Sequence, residues 1–280
     1  MTLREWLKKG EADLGAGPHP ERARQDAELL LLHFIGNNRA RLLAHLDDDF
    51  GGCSAISFAA HLRRRAAGEP IQYIVGECEF YGLSFRVTPA VLIPRPETEH
   101  LVEQALVLAA RFTQPRILDV GTGSGAIAIA LAKHLIDARI SASDISAPAL
   151  ACAQDNAKRN EVGLRFLLGD LLVPAAGEIF DLIVSNPPYV PEADRHTLSV
   201  EVRDHEPAQA LFAGADGLGV YRRLIPASRA ALVTGGFLVL EIGHGQAAVV
   251  AALLESAGFA SIAFTPDLQG IPRVVTAQRL

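Results

Sequence analysis

The chain has few of the residues that would cross-link it or bind a metal. It holds three cysteines, Cys53, Cys78 and Cys152, widely separated and without a Cys-x-x-Cys pair. An odd count at that spacing excludes a disulfide framework and a cysteine zinc site, and fits a reducing compartment. The nine histidines include no His-x-x-x-His pair, so no metal is expected. There is no Gly-Lys-Ser/Thr triplet of a phosphate loop and no Gly-x-Ser-x-Gly elbow of a hydrolase. Basic excess is missing too: 26 Lys and Arg stand against 32 Asp and Glu, a net charge of −6. A protein that grips nucleic acid by its phosphates is more often basic, so a nucleic-acid substrate is disfavoured. The run His61-Leu62-Arg63-Arg64-Arg65 is expected to be a solvated helix face, and the single tryptophan, Trp6, a core residue. No apolar stretch reaches membrane-spanning length free of charge, and residues 1–10 lack the apolar core of a signal peptide. A cytoplasmic, monomeric protein with no membrane partner is expected.

What is present is concentrated at predicted strand ends. The apolar strand Ile117-Leu118-Asp119-Val120 breaks at Gly121-Thr122-Gly123-Ser124-Gly125 and resumes as a helix rich in alanine. Such glycines let backbone approach a ligand closely, and the helix start offers free N–H donors. Asp144 ends a second strand 19 residues after Gly125, where an acid can accept from both hydroxyls of a ribose. A third strand ends at Gly169-Asp170-Leu171, within reach of a base. A fourth, residues 180–185, runs into Asn186-Pro187-Pro188-Tyr189. The Asn186 side chain offers an acceptor oxygen, and Pro187 stiffens the carbonyls around it. Two acceptors there can hold both hydrogens of a substrate –NH2, with Tyr189 as a face for the planar group. Gly121, Gly123 and Ala126 also satisfy a dinucleotide pattern. A dehydrogenase needs a proton donor near the hydride, however, and none is evident at the fourth strand end. Asp119 suits the methionine ammonium of S-adenosylmethionine, and methyl transfer is favoured.

The chain resembles, over nearly its whole length, the bacterial protein-(glutamine-N5) methyltransferases of the HemK/PrmC type. The resemblance rests on Gly76-Glu77-Cys78-Glu79-Phe80-Tyr81-Gly82, Leu92-Ile93-Pro94-Arg95-Pro96-Glu97-Thr98-Glu99, the Asp119–Gly125 loop, residues 186–189, Glu206-Pro207 and Asp216-Gly217-Leu218. It implies methyl transfer from S-adenosylmethionine to the glutamine of the Gly-Gly-Gln loop of peptide chain release factors. Cofactor contacts would fall on Gly121, Thr122, Gly123, Ser124, Gly125, Asp144, Leu171 and Asn186. The substrate box would be Asn186, Pro187, Pro188 and Tyr189, with Asn186 and Pro187 catalytic. Leu171 and His205 stand where relatives often carry aromatics. The alternative kept beside this is a nucleic-acid methyltransferase acting on adenine N6 or guanine N2, which would have to extrude its base.

The expected fold is α/β: the residues alone predict alternating β/α units and a mainly parallel sheet, and the resemblance implies a Rossmann-like seven-stranded methyltransferase domain whose last strand is antiparallel, over residues 95–280. Residues 1–68 are expected to form a small helical domain that docks the substrate, with Thr2 capping its first helix and Leu29, Leu30, Leu32 and Phe34 packing inward. Residues 69–94 are expected to be a linking β-hairpin with strands at 71–75 and 83–87. The long segment 190–215 is expected to cover the substrate cleft, held in part by Glu206.

Overall fold

The computed structural model describes every residue from Met1 to Leu280. The chain divides into two compact units, residues 1–77 with 198–205, and residues 78–197 with 206–280. No helix is long and apolar enough to cross a membrane.

The first unit is helical: Leu3–Gly15, Ala23–Phe34, Arg39–Ala44, Gly52–Ala66, Ile71–Val75 and, from the later segment, Val200–His205. Thr2 caps the first helix. Its hydroxyl accepts from the Glu5 N–H (3.3 Å) while its own N–H donates to the Glu5 carboxylate (2.9 Å), a reciprocal capping box. Ala27, Leu30, Leu31 and Phe34 recur at helical spacing and face Leu42, Phe58 and Leu62. Leu29 lies one residue off that stripe and is 40% exposed, against expectation. Residues 71–75 are a helix rather than the expected strand. Pro70 is its N-cap, Ile71 and Ile74 turn one face to the core, and Gly76 ends it in the left-handed conformation (φ 80°). Five apolar residues carry no period that separates the two structures.

The basic run also departs from expectation at one position. Arg63 and Arg64 are exposed, but Arg65 is buried, 2% exposed. Its Nε donates to Asp26 Oδ2 (2.6 Å), one terminal nitrogen pairs with Glu201, and the same nitrogen donates to the Glu69 carbonyl (3.1 Å). Arg65→Met would leave Asp26 and Glu201 to the longer contacts with the half-exposed Arg22 (3.5 and 4.0 Å). We expect a loss of about 3 kcal/mol in denaturant unfolding, against under about 0.5 kcal/mol for Arg63→Ala. Equal losses would show that the buried ion cluster contributes nothing.

The second unit opens with a hairpin of β1 (Glu77–Phe80) and β2 (Leu83–Arg86), joined through Tyr81 and Gly82, both at positive φ. Side chains from its helices bolt it in place. Asn156 accepts from the Arg86 N–H (2.7 Å) and donates to the Arg86 carbonyl (2.9 Å), Asn160 donates to the Ser84 carbonyl (3.0 Å), and Glu99 accepts from the Tyr81 N–H (2.8 Å). The main sheet follows with β3 (Arg116–Val120), β4 (Arg139–Asp144), β5 (Arg165–Leu168), β6 (Phe180–Ser185), β7 (Leu232–Glu241), β8 (Phe259–Pro266) and β9 (Pro272–Arg279). Its seven strands run in the order β5-β4-β3-β6-β7-β9-β8, with β9 antiparallel to both neighbours.

Both faces of this sheet are covered, which is why its central strands read as continuous apolar runs. Ile117, Leu182, Val184, Phe237 and Val239 pack under the helices Glu99–Ala109 and Ala126–His134. Leu118, Ile183, Leu238 and Leu240 pack under Gly219–Ala231 and Ala247–Ser256. The strand order reverses between β3 and β6, and open α/β sheets bind ligands at the carboxyl ends on either side of that reversal.

Candidate active site

A cavity of about 340 Å³ lies at those strand ends, within the usual range for small-molecule sites. Its floor is Val120, Gly121, Thr122, Gly123 and Ser124 after β3, Asp144 and Ile145 at β4, Gly169 to Leu171 after β5, and Asn186 and Pro188 after β6. The loop after β3 is rigidly held. Gly121 and Thr122 donate their N–H groups to the Ser143 carbonyl (2.8 and 2.9 Å), and Gly123 donates to Asp144 Oδ2 (2.8 Å). Asp144 Oδ1 accepts from the Ser146 N–H (2.9 Å), so both oxygens are anchored, and each keeps a lone pair for a ligand. Gly121 and Gly123 have φ of +72° and +57°, and a Cβ on either would meet no protein atom within 4 Å. The backbone there is bare toward the cavity, the form a close-fitting ligand requires.

Three predicted residues do not line the cavity: Gly125, Pro187 and Tyr189. Gly125 begins the helix Ala126–His134, where a Cβ would press on Ile129 and Ala153. Asp119 is also absent from the lining. It is fully buried beneath the loop, and Oδ2 accepts from the Thr122 hydroxyl (2.6 Å) while Oδ1 has no hydrogen bond. Burial pushes this carboxyl up to about 7; the Thr122 hydroxyl and the nearby Ala128 N–H, the latter short of a formed bond, pull the other way. A carboxyl that binds its proton more tightly folded than unfolded lowers stability as pH rises from about 4 to 7. Relative to Asp119→Asn, the parent is therefore expected to lose stability across that window, by at most roughly 1.4 kcal/mol per pH unit. Urea unfolding at several pH values measures the difference, and a flat difference would refute it.

Asn186 is tied into a buried polar chain. Its Nδ2 donates to Thr98 Oγ1 (3.1 Å), and the Thr98 hydroxyl donates to Glu241 Oε2 (2.6 Å). Tyr189 donates to the other Glu241 oxygen (3.3 Å). Burial, then Glu241 itself, pushes the Tyr189 phenol up, so it keeps its proton as a donor. Burial pushes the Glu241 carboxyl up to about 7, opposed by the Thr98 and Tyr189 hydroxyls, with Glu97 raising and Arg273 lowering it further.

A model of the methyltransferase small domain matches residues 98–256, and one of the PrmC N-terminal domain matches residues 5–76. A release factor glutamine methyltransferase of Koribacter versatilis is 42% identical over 280 residues, covering 100% of this chain and 99% of that one. The enzyme of the same name from Deinococcus radiodurans is 43% identical, covering 100% and 99%. The chain belongs to the release factor glutamine methyltransferase family. Among solved structures, the hMettl16 catalytic domain bound to a MAT2A 3′UTR hairpin is similar in fold, with a TM-score of 0.60 at 17% identity over 89% of this chain and 88% of that one.

As a member of this methyltransferase family the chain uses S-adenosylmethionine, and the bare glycine loop with Asp144 fits that cofactor. The remaining walls come mainly from two other segments. Pro94, Arg95 and Thr98 form one side, and Pro207, Gln209, Ala210 and Phe212 another. Buried Glu206 joins them: it accepts from Arg95 (2.5 Å) and from the Ile93 N–H (3.2 Å). The segment after Tyr189 thus contributes a wall, fastened by the residue expected to fasten it. Its helix Val200–His205, with His205 at the end, belongs instead to the first unit. Leu171 lines the cavity at a positive φ of 49°, its carbonyl accepting from Ser143 Oγ (3.2 Å). Sequence reasoning missed Ile145, an isoleucine 52% exposed beside Asp144, and Glu241. A β-branched apolar residue directly after the acid that ends β4 was the available signal for the first.

Proposed function

We propose that the chain transfers a methyl group from S-adenosylmethionine to the side-chain amide nitrogen, N5, of the glutamine in the Gly-Gly-Gln motif of bacterial peptide chain release factors, in the cytoplasm. The observation that carries this reading is the Asn186 amide, whose Nδ2 is committed to Thr98 at the cavity wall. That leaves its oxygen as the remaining acceptor of a residue that lines the cavity with the glycine loop. The substrate class comes from the names of the relatives.

The cofactor, bound on Gly121, Thr122, Gly123, Ser124, Asp144 and Leu171, supplies a methyl on a positively charged sulfur, which is a good leaving group. The protein's task is the amide nitrogen, a poor nucleophile because its lone pair is shared with the carbonyl. Asn186 Oδ1 and a main-chain carbonyl of the Asn186-Pro187-Pro188 turn would accept both N–H groups. They fix the nitrogen in line with the methyl and draw electron density toward it. Positioning and preorganised dipoles would carry the catalysis, and the N-methylated amide, left strongly acidic, would lose its proton to water. Tyr189 stiffens the turn from below through Glu241, and the first unit is assigned to docking the release factor.

The test is incubation with methyl-labelled S-adenosylmethionine and a bacterial release factor, followed by mass spectrometry of the Gly-Gly-Gln peptide. A single methyl on that glutamine, absent when it is replaced, is expected. Label on duplex DNA or ribosomal RNA offered in parallel, with none on the factor, would overturn the reading.

A further inference from the structure

The Asn186 amide can act as an acceptor only if it is turned the right way, and an asparagine side chain is nearly symmetric in shape. Flipped, it would present –NH2 to a substrate –NH2. The direction is set one residue further back. A threonine hydroxyl has one hydrogen to donate. While Glu241 Oε2 carries no proton, Thr98 gives its hydrogen to that oxygen (2.6 Å), so toward Asn186 it accepts, and the group 3.1 Å away is the Nδ2 donor. Glu241 ends β7 and is buried, 2% exposed, with the Tyr189 hydroxyl donating to its second oxygen. It does not line the cavity, and its carboxylate oxygens are held by the Thr98 and Tyr189 hydroxyls.

We propose that Glu241, acting through the Thr98 hydroxyl, holds the Asn186 amide with its oxygen toward the cavity, and is therefore a positioning residue for methyl transfer. The consequence for turnover rests on the function proposed above; the orientation itself does not. Without an acceptor at position 241 the Thr98 hydroxyl is free to turn and donate to Asn186 Oδ1, which stabilises the flipped amide. Threonine at position 98, inside the Pro-Arg-Pro-Glu-Thr-Glu run, thereby links two sequence motifs that lie 88 residues apart.

The experiment compares the full chain with Glu241→Met, Thr98→Val and Thr98→Ser. Methionine replaces the buried carboxylate with an apolar side chain of similar length; the Thr98 and Tyr189 hydroxyls lose their acceptor, which costs stability, so each variant's unfolding is measured beside its rate. Glu241→Met and Thr98→Val are each expected to lower kcat on the release factor about 10- to 100-fold, the scale of a mispositioned reactant, with S-adenosylmethionine affinity within about threefold of the parent. Thr98→Ser should restore most of the rate. In the double variant the two losses should not multiply, because both cut one chain. Nitrogen-labelled protein gives a readout that needs no substrate. The Asn186 side-chain amide resonances should show one proton slowed in exchange with water in the parent and in Thr98→Ser, and not in the other two. Losses that multiply, a Thr98→Val rate within twofold of the parent, or Asn186 resonances unchanged by Glu241→Met would each overturn the proposal. A parent that leaves the release factor unmethylated would count against the proposed function, and the resonances would still decide the orientation.

Discussion

Asn186→Ala is expected to lower kcat by roughly 10²- to 10³-fold, the effect of removing one preorganised hydrogen-bonding group from a transition state. The affinity for S-adenosylmethionine, read by calorimetry on the same protein, should change by less than about threefold. The contrast follows from where the residue sits. Most of the proposed cofactor cradle is the loop after β3 and Asp144, whose anchoring bonds to Gly123 and Ser146 do not involve Asn186. In the proposed mechanism the Asn186 oxygen, by contrast, would meet a group that becomes more polarised as the methyl moves, so its interaction would be stronger in the transition state than before it. Truncation also leaves the Thr98 hydroxyl donating to Glu241, so the buried chain loses one link and no carboxylate is orphaned. Stability should therefore hold. An unchanged kcat would remove Asn186 from the mechanism, and a parallel loss of cofactor affinity would reassign it to the cradle.

Much of this architecture was legible because the relevant signals are local. The alternation of Ile117, Leu118, Ile183 and Val184 between two covered faces makes the central strands uniformly apolar, and glycine or Asn-Pro breaks mark their carboxyl ends. Parallel topology then places four such ends along one crevice, so Gly121 to Ser124, Asp144, Leu171 and Asn186 come together although 65 residues separate the first from the last. What was not legible depends on pairs distant in sequence. Arg65 reads as one more surface arginine until Asp26 and Glu201 are brought to it. Asp119 reads as a cofactor ligand because its position in the motif is local, whereas its burial under the loop is a property of the packed sheet. Glu241 reads as the end of a strand; its meaning comes from Thr98, 143 residues away. Residues 71–75 were misread for a different reason. An apolar pentamer fits either period, and the decision was made by Pro70 and Gly76 at its ends.

Gly217→Ala is expected to be damaging in stability and activity together, and to show how the Asp216-Gly217-Leu218 motif serves a site it does not line. Gly217 has a φ of +73°, a region in which an L-residue with a Cβ is strained by about 1–3 kcal/mol. Its would-be Cβ overlaps the Tyr189 carbonyl oxygen and lies 3.1 Å from both Pro191 Cδ and Gln246 Nε2. These neighbours cannot yield independently. Gln246 Nε2 donates to that same Tyr189 carbonyl (3.0 Å), and Gln246 Oε1 accepts from the Gly243 N–H (2.9 Å). The flanking residues are fixed as well, since the Leu218 N–H and the Arg222 guanidinium both hold Asp216 (3.1 and 3.0 Å). The strain must therefore be relieved by moving the turn that carries Tyr189, three residues after Asn186. Conformational strain and overpacking together should lower unfolding free energy by roughly 2–5 kcal/mol. The displaced turn should lower kcat by about 10²-fold, the consequence of moving a positioned group by an ångström. Gly214→Ala is the control, because that glycine has a similar φ of +83° but a Cβ there meets no atom within 4 Å. It should show the conformational strain and none of the kinetic effect. If the two variants lose activity alike, the close approach of Gly217 to the Tyr189 carbonyl is not what holds the Asn-Pro-Pro-Tyr turn in place.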